Sequence, residues 1–328
     1  GTEMESKLIW LVLGFLATLC KGKNIHNENF NIPKPNPSLH DDMRLTSEQK
    51  MQLKERGFYT ARKWPLANNL VTVPYYFDPT TVPADSIVRT NFKKAVEIYA
   101  AQTCIRFVEV LSNDTQIKVK VFRDSGCYSN VGKVGFRDNE LSLGEGCEQI
   151  GTMLHEMGHC MGLFHTQSRP DRDSYVRVWL NNIKPGLENN FAKSTGDLYE
   201  VPYDYKSMMH YGNDYFSING SYTLSTIDPY AIYAIGSRPD TFRYSDAAFL
   251  NRAYTCDKIN AARCTSVTCY NGGFVTQDCK CRCPENTVGQ RCENVTGPFF
   301  SDVPKCGKTV TSEGEITSFV NGVSIGEK

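Results

Sequence analysis

The sequence predicts an α+β fold followed by a small disulfide-rich module, and three observations carry that prediction. Strand-like and helix-like stretches alternate over residues 71–122. Residues 155–165 have helical spacing closed by a glycine and hold three of the chain's six histidines. Six cysteines crowd the segment 264–292.

The stretch 71–77 (VTVPYYF) is rich in β-branched and aromatic residues and reads as a strand. A helix is expected over 85–102, with Ile87, Val88, Phe92, Val96 and Tyr99 on one face. Strands follow at 106–110 and 117–122, the second alternating Ile117, Val119 and Val121 as a half-buried strand does. The glycine-rich run 126–146 suggests short strands and turns. Ile150, Met153, Leu154, Met157 and Met161 fall largely at the three-and-four spacing of a buried helix face. A further helix is expected over 245–254.

Within that central helix lies HEMGHCMGLFH. Residues four apart share one helix face, so His155 and His159 can grip one metal ion. Glu156 adjoins the first ligand and can reach an attacking water without ligating the metal. Gly162 takes a left-handed conformation at little cost, so the chain can turn there and bring His165 round as a third ligand. Three neutral imidazoles and one open position suit a catalytic Zn2+ rather than a closed structural one. Glu156 would then be a general base that takes a proton from water and passes it to a leaving amine. Core histidines on an ordinary helix are the bland alternative, which Gly162 and His165 disfavour.

Further on, Ser207-Met208-Met209-His210-Tyr211 supplies a methionine-containing turn. With HEMGHCMGLFH and the run 168–176 (SRPDRDSYV), this turn resembles the astacin family of metzincin zinc metallopeptidases over about residues 64–256. The resemblance implies a two-lobed catalytic domain, a twisted sheet with helices above and an irregular lobe below. It makes Met209 the Met-turn residue and Tyr211 an extra zinc ligand that swings to stabilise the oxyanion. It implies that an edge strand near 126–146 pairs with extended peptide substrates, since unpaired edge amides are a template for another chain. One position departs: the family has Glu directly after the third histidine, where it meets the buried amino terminus of the mature enzyme, and here stands Thr166.

Ahead of the catalytic domain, residues 8–19 form a twelve-residue apolar run after Met4 and Lys7. That length suits a signal peptide over 1–22 and is too short to span a bilayer, an uncleaved anchor being the alternative. Residues 23–60 are polar, broken by Pro33, Pro35 and Pro37, and read as a pro-segment. In them Thr46-Ser47-Glu48-Gln49 forms a capping box. By the family resemblance, Leu39-His40-Asp41-Asp42 aligns with a latency motif and makes Asp42 the residue that holds the precursor inactive. An exposed acidic pair is the alternative. Lys54, Arg56, Arg62 and Lys63 are candidate sites for an activating protease, placing the mature start within 55–63.

The chain has thirteen cysteines. In a secreted chain they imply disulfides. The family pairing is Cys104–Cys256 and Cys127–Cys147. Asn271-Gly272-Gly273 and the cysteine spacing make 257–293 resemble an EGF-like module, pairing Cys264–Cys279, Cys269–Cys281 and Cys283–Cys292, with a zinc knot as the alternative. Cys20 belongs to the leader. Cys160 is expected to be a buried, inert thiol. Residues 306–310 (CGKTV), in the segment 294–328, resemble the start of a CUB domain that is truncated here.

Lys plus Arg equal Asp plus Glu at 36 each. Nothing therefore points to nucleic acid or to an anionic membrane surface. Asn113, Asn219 and Asn294 are glycosylation candidates. The expectation is a secreted, latent zinc endopeptidase acting on extracellular matrix or cuticle proteins. The alternative is a catalytically inactive matrix-adhesion protein acting through the EGF-like module.

Overall fold

The computed structural model describes residues 42–50, 62–194, 196–297, 299, 316–320 and 323–327. The leader, Cys20 and Cys306 lie outside these residues, as do the candidate cuts at Lys54 and Arg56.

The expected strands and helices are present within a few residues of their predicted limits. β1 (Met43–Arg44), β2 (Leu66–Ala67), β3 (Leu70–Phe77), β4 (Ile105–Glu109), β5 (Val119–Phe122), β6 (Cys127–Asn130) and β7 (Asn139–Leu143) form one seven-stranded sheet. Its order is β1-β6-β7-β5-β3-β2, with β4 also on β3. β3, β5 and β7 run parallel, β6 is antiparallel to β7, and β1 is parallel to β6.

α1 (Ile87–Gln102) starts at Ser86, whose hydroxyl accepts from the Arg89 amide. Its buried face is Val88, Phe92, Ala95 and Tyr99, while Ile87 is exposed. Of the face expected from the sequence, Ile87 stays exposed and Val96 is only half-buried, while Ala95 takes a buried place. α2 (Ile150–Cys160) is buried along its whole length after the first residue, not on one face only. Its apolar side chains belong to the upper core, with Val71, Val73, Phe92, Leu141 and Phe242 among the other members.

A second core lies below, built from Val176, Ile183, Phe191, Tyr203, Tyr211, Phe216 and Leu224 among others. Its only regular strands among the described residues are β8 (Val176–Val178) and β9 (Leu224–Thr226), an antiparallel pair. Two cores, one sheet-based and one irregular, are the two lobes that the sequence resemblance implied.

α3 (Tyr244–Ala253) and α4 (Cys256–Arg263) close the catalytic region. Cys104–Cys256 ties its two ends across 152 residues, and Cys127–Cys147 closes a 20-residue loop. Constraining the unfolded chain this way is worth roughly 3 kcal/mol for the shorter loop. Cys264–Cys279, Cys269–Cys281 and Cys283–Cys292 also form as expected. They staple two short hairpins, β10 (Phe274–Val275) with β11 (Cys281–Arg282) and β12 (Thr287–Val288) with β13 (Asn294–Val295). Gly273 is required there, since a Cβ would collide with Cys292 Sγ. The module is seated on α3 and α4 through Tyr244 Oη donating to Gly272 O and Asn260 Nδ2 donating to Val275 O. Residues 316–320 and 323–327 form a separate antiparallel hairpin. Among the described residues no helix is long and apolar enough to cross a membrane.

Candidate metal centre

α2 presents His155 and His159 one turn apart, and the helix ends just beyond them. Gly162 adopts φ +93°, and the amides of Gly162 and Leu163 bond back to His159 O and Gly158 O. This left-handed stop turns the chain under the helix and brings His165 to the same point. All three residues are at most 1% exposed.

The three Nε2 atoms converge on one carboxylate. Asp42 Oδ2 lies 2.9 Å from His155 Nε2, and Oδ1 lies 2.9 Å from His165 Nε2 and 3.5 Å from His159 Nε2. These four groups offer ligand atoms within 4.8 Å of one another.

The chemistry of this donor set calls for a cation. His155 Nδ1 is 2.7 Å from Met208 O, and His159 Nδ1 is 2.8 Å from Leu163 O. A carbonyl only accepts, so both rings carry their proton on Nδ1 and turn a lone pair inward at Nε2. Yet those two Nε2 atoms are only 3.1 Å apart. Charging His155 or His165 is disfavoured. Burial, helped by the Arg238 charge, pushes His155 well below the usual imidazole range, and burial pushes His165 down to about 4. Two inward lone pairs beside a carboxylate repel unless a divalent ion lies between them, so the residues fit zinc.

The turn at residues 207–211 lies directly beneath. His210 N bonds to Ser207 O, closing it. Met208 supplies the carbonyl that orients His155. Met209 packs against the helix at Gly158, where a Cβ would sit 2.9 Å from Met209 Sδ. A side chain at Gly158 would push the ends of Met208 and Met209 aside, so the glycine lets the turn's methionines pack close to the helix, which its place just before the second histidine does not reveal. Tyr211 is buried, its ring centroid 4.3 Å from that of His165. Its amide donates to Gln167 Oε1 at 3.2 Å, a contact between residues 44 apart in sequence. Glu156 is 1% exposed on α2, next to His155. Cys160 is buried, and burial pushes its thiol up to about 12, as an inert core cysteine.

Thr166, the position that departs from the family pattern, is absorbed into the turn's support. Its amide donates to Met209 O and its hydroxyl donates to Ser207 Oγ at 3.0 Å. Ser207 Oγ donates in turn to Asp246 Oδ1 at 2.7 Å, and Met208 N donates to Asp246 Oδ2 at 3.1 Å. Sequence reading missed Asp246 because it sits on α3, 38 residues past the turn.

Burial and the nearby Asp204 charge push Asp246 up to about 7, against the hydrogen bonds from Ser207 and Met208. Its unfolded value is about 4. The folded chain therefore holds a proton that the unfolded chain releases between about pH 4 and pH 7. The stabilisation is full below that window and is lost as pH rises through about 7, on the order of 4 kcal/mol at most. Asp246→Asn mimics the protonated form and escapes this loss. The melting temperature of the variant minus that of wild type is expected to rise by several degrees from pH 5 to pH 8. A difference that stays flat over that range would show that Asp246 does not titrate there.

Residues 42–50 are held by more than the Asp42 carboxylate. Gln49 Oε1 accepts from Thr46 N, and Thr46 Oγ1 accepts from Gln49 N, the reciprocal capping box read from the sequence. Gln49 Nε2 also donates to Val131 O at 3.0 Å.

The Astacin peptidase family pattern matches residues 58–255. Protein SpAN of Strongylocentrotus purpuratus is 32% identical over 316 residues, covering 87% of this chain and 49% of that protein. Zinc metalloproteinase nas-31 of Caenorhabditis elegans is 33% identical over 327 residues, covering 93% of this chain and 51% of that protein. The chain thus spans about half the length of these curated relatives. Among solved structures, high choriolytic enzyme 1, a hatching enzyme zinc-protease from Oryzias latipes, superposes with a TM-score of 0.54 at 35% identity. That likeness covers 59% of this chain and 94% of the other. Converging imidazoles, a methionine turn beneath them and a family match across the whole catalytic region together make this chain a member of the astacin family of zinc peptidases.

Proposed function

We propose that the chain is a secreted zinc metalloendopeptidase, made as a latent precursor. The observation that carries this reading is the meeting of three imidazole nitrogens with the Asp42 carboxylate, with His155 lying 113 residues from it in sequence. His155, His159 and His165 would hold the ion, which would supply Lewis acidity toward a peptide carbonyl and an attacking water. Glu156 takes the proton of that water and returns it to the leaving nitrogen. Tyr211 donates its hydroxyl hydrogen to the oxyanion as charge develops there. Asp42 fills the place the water needs and so keeps the precursor silent.

The edge of β6 is the seat of the substrate backbone. In the precursor β1 covers it, and Ser129 N donates to Asp42 O. Removal of the pro-segment frees those amides for an extended peptide. Lys63 and Trp64 are built into the domain: Lys63 Nζ donates to Ala253 O and Trp64 Nε1 donates to Cys160 O. This supports an activating cut ahead of residue 62. The proposed order is leader 1–22, pro-segment 23–60, peptidase 61–256, EGF-like module 257–293, then a linker with the start of a CUB domain.

Five disulfides favour an oxidising compartment. Asn113, Asn219 and Asn294 are all exposed, as N-glycosylation requires. Matrix or cuticle proteins are the proposed substrates. An inactive adhesion protein was the alternative, motivated by Thr166. The accessory EGF-like module motivates it as well; the converging imidazoles, and Thr166 bonded into the turn, favour the peptidase reading. The activated chain is expected to cleave a denatured protein, to lose that activity to a zinc chelator and to regain it on adding zinc. Cleavage indifferent to the chelator, or none at all, would overturn the proposal.

A further inference from the structure

We propose that Tyr128, with Asp124 at its hydroxyl, forms a subsite for a lysine or arginine side chain of a peptide bound along β6. The inference rests on the peptidase reading above and gives its substrates a chemical class.

In the precursor this place is filled by Arg44, whose guanidinium carbon lies 4.3 Å from the centroid of the Tyr128 ring. The Tyr128 hydroxyl donates to Asp124 Oδ2 at 2.8 Å, which sets a carboxylate at the rim of the same ring. The Ser125 amide and that hydroxyl hold the Asp124 carboxyl below its usual range, so it is charged. Glu140 adds negative potential at Tyr128. Phe122 meets the ring edge-on, with centroids 6.1 Å apart, and fixes its plane. A flat aromatic face with anionic groups at its edge attracts cations through the ring quadrupole and ordinary Coulomb attraction.

Its location ties it to the reaction. Arg44 stands two residues past Asp42, and β1 pairs Met43 with Ser129 and Arg44 with Asn130. Two residues of extended chain span about 6.5 Å. The Arg44 backbone therefore lies about that far along the β6 edge from the backbone of Asp42, whose carboxylate meets the imidazoles. Asn130 Nδ2 donates to Arg44 O, so the same strand holds both the backbone and the side chain of this residue. A peptide that replaces β1 uses the same edge and carries a side chain over Tyr128.

The test uses the chain after its activation cleavage. Paired fluorogenic peptides carry arginine or the uncharged isostere citrulline at each position within three residues of the cut bond. At one position about two residues from that bond, kcat/KM is expected to favour arginine about two- to fivefold, the range of an exposed cation–π contact. The ratio should fall to about one in both Asp124→Asn and Tyr128→Leu. Because each ratio is taken within one preparation, partial loss of folded enzyme cancels. A ratio near one at every position in wild type, or one unchanged in both variants, overturns the subsite and leaves the peptidase reading standing. If neither peptide is cleaved, the peptidase reading fails and binding decides the subsite. A synthetic peptide of residues 40–50 should bind the cleaved chain more tightly with arginine at position 44 than with citrulline. Equal affinity overturns it.

Discussion

Glu156→Gln is expected to lower kcat roughly 10²- to 10⁴-fold, the usual contribution of a positioned general base, while the protein keeps one zinc per chain. Glutamine has nearly the shape of glutamate, so the packing of the fully buried α2 is preserved. What it loses is the ability to take a proton from the attacking water. The ligand set is untouched, because the Nε2 atoms belong to His155, His159 and His165. Rate and metal content measured on the same sample separate the two effects. A variant with near-normal kcat would remove Glu156 from the mechanism, and one that also lost its zinc would show that Glu156 serves the site's structure.

Asp42→Ala is expected to raise the basal activity of the uncleaved precursor about ten- to hundredfold. A hydrogen bond to a charged group is worth roughly 1.5–3 kcal/mol, and Asp42 meets all three imidazoles. The release should be partial, because the β1–β6 pairing and the Gln49 bond to Val131 still cover the edge. The assay compares precursor before and after cleavage for both forms. Latency equal to wild type in the variant would mean that steric cover alone keeps the precursor silent.

The parts of this site that could be read from the chain are local. Helical periodicity fixes that residues four apart share a face, so two ligands and their neighbouring carboxylate follow from spacing alone. A glycine at the helix stop tells that the chain can reverse, so the third ligand follows too. The capping box at Thr46 and Gln49 was legible for the same reason, its two partners being three residues apart. α1 was legible in type and length but not at its first residue, since Ile87 is apolar wherever it points and only packing decides that it stays in solvent.

Sequence by itself determined the spacing of three imidazoles suited to a metal ion, the likeness to a peptidase family and the two kinds of cysteine segment, because each is encoded in short-range spacing. Only the tertiary structure decided that Asp42 reaches the imidazoles, that Met208 O orients His155 and that Asp246 braces the turn from another helix. It also decided that Arg44 lies on Tyr128. These contacts join residues dozens of positions apart. No periodicity links such partners, so their meeting depends on how the sheet edge, α2 and the lower lobe pack together.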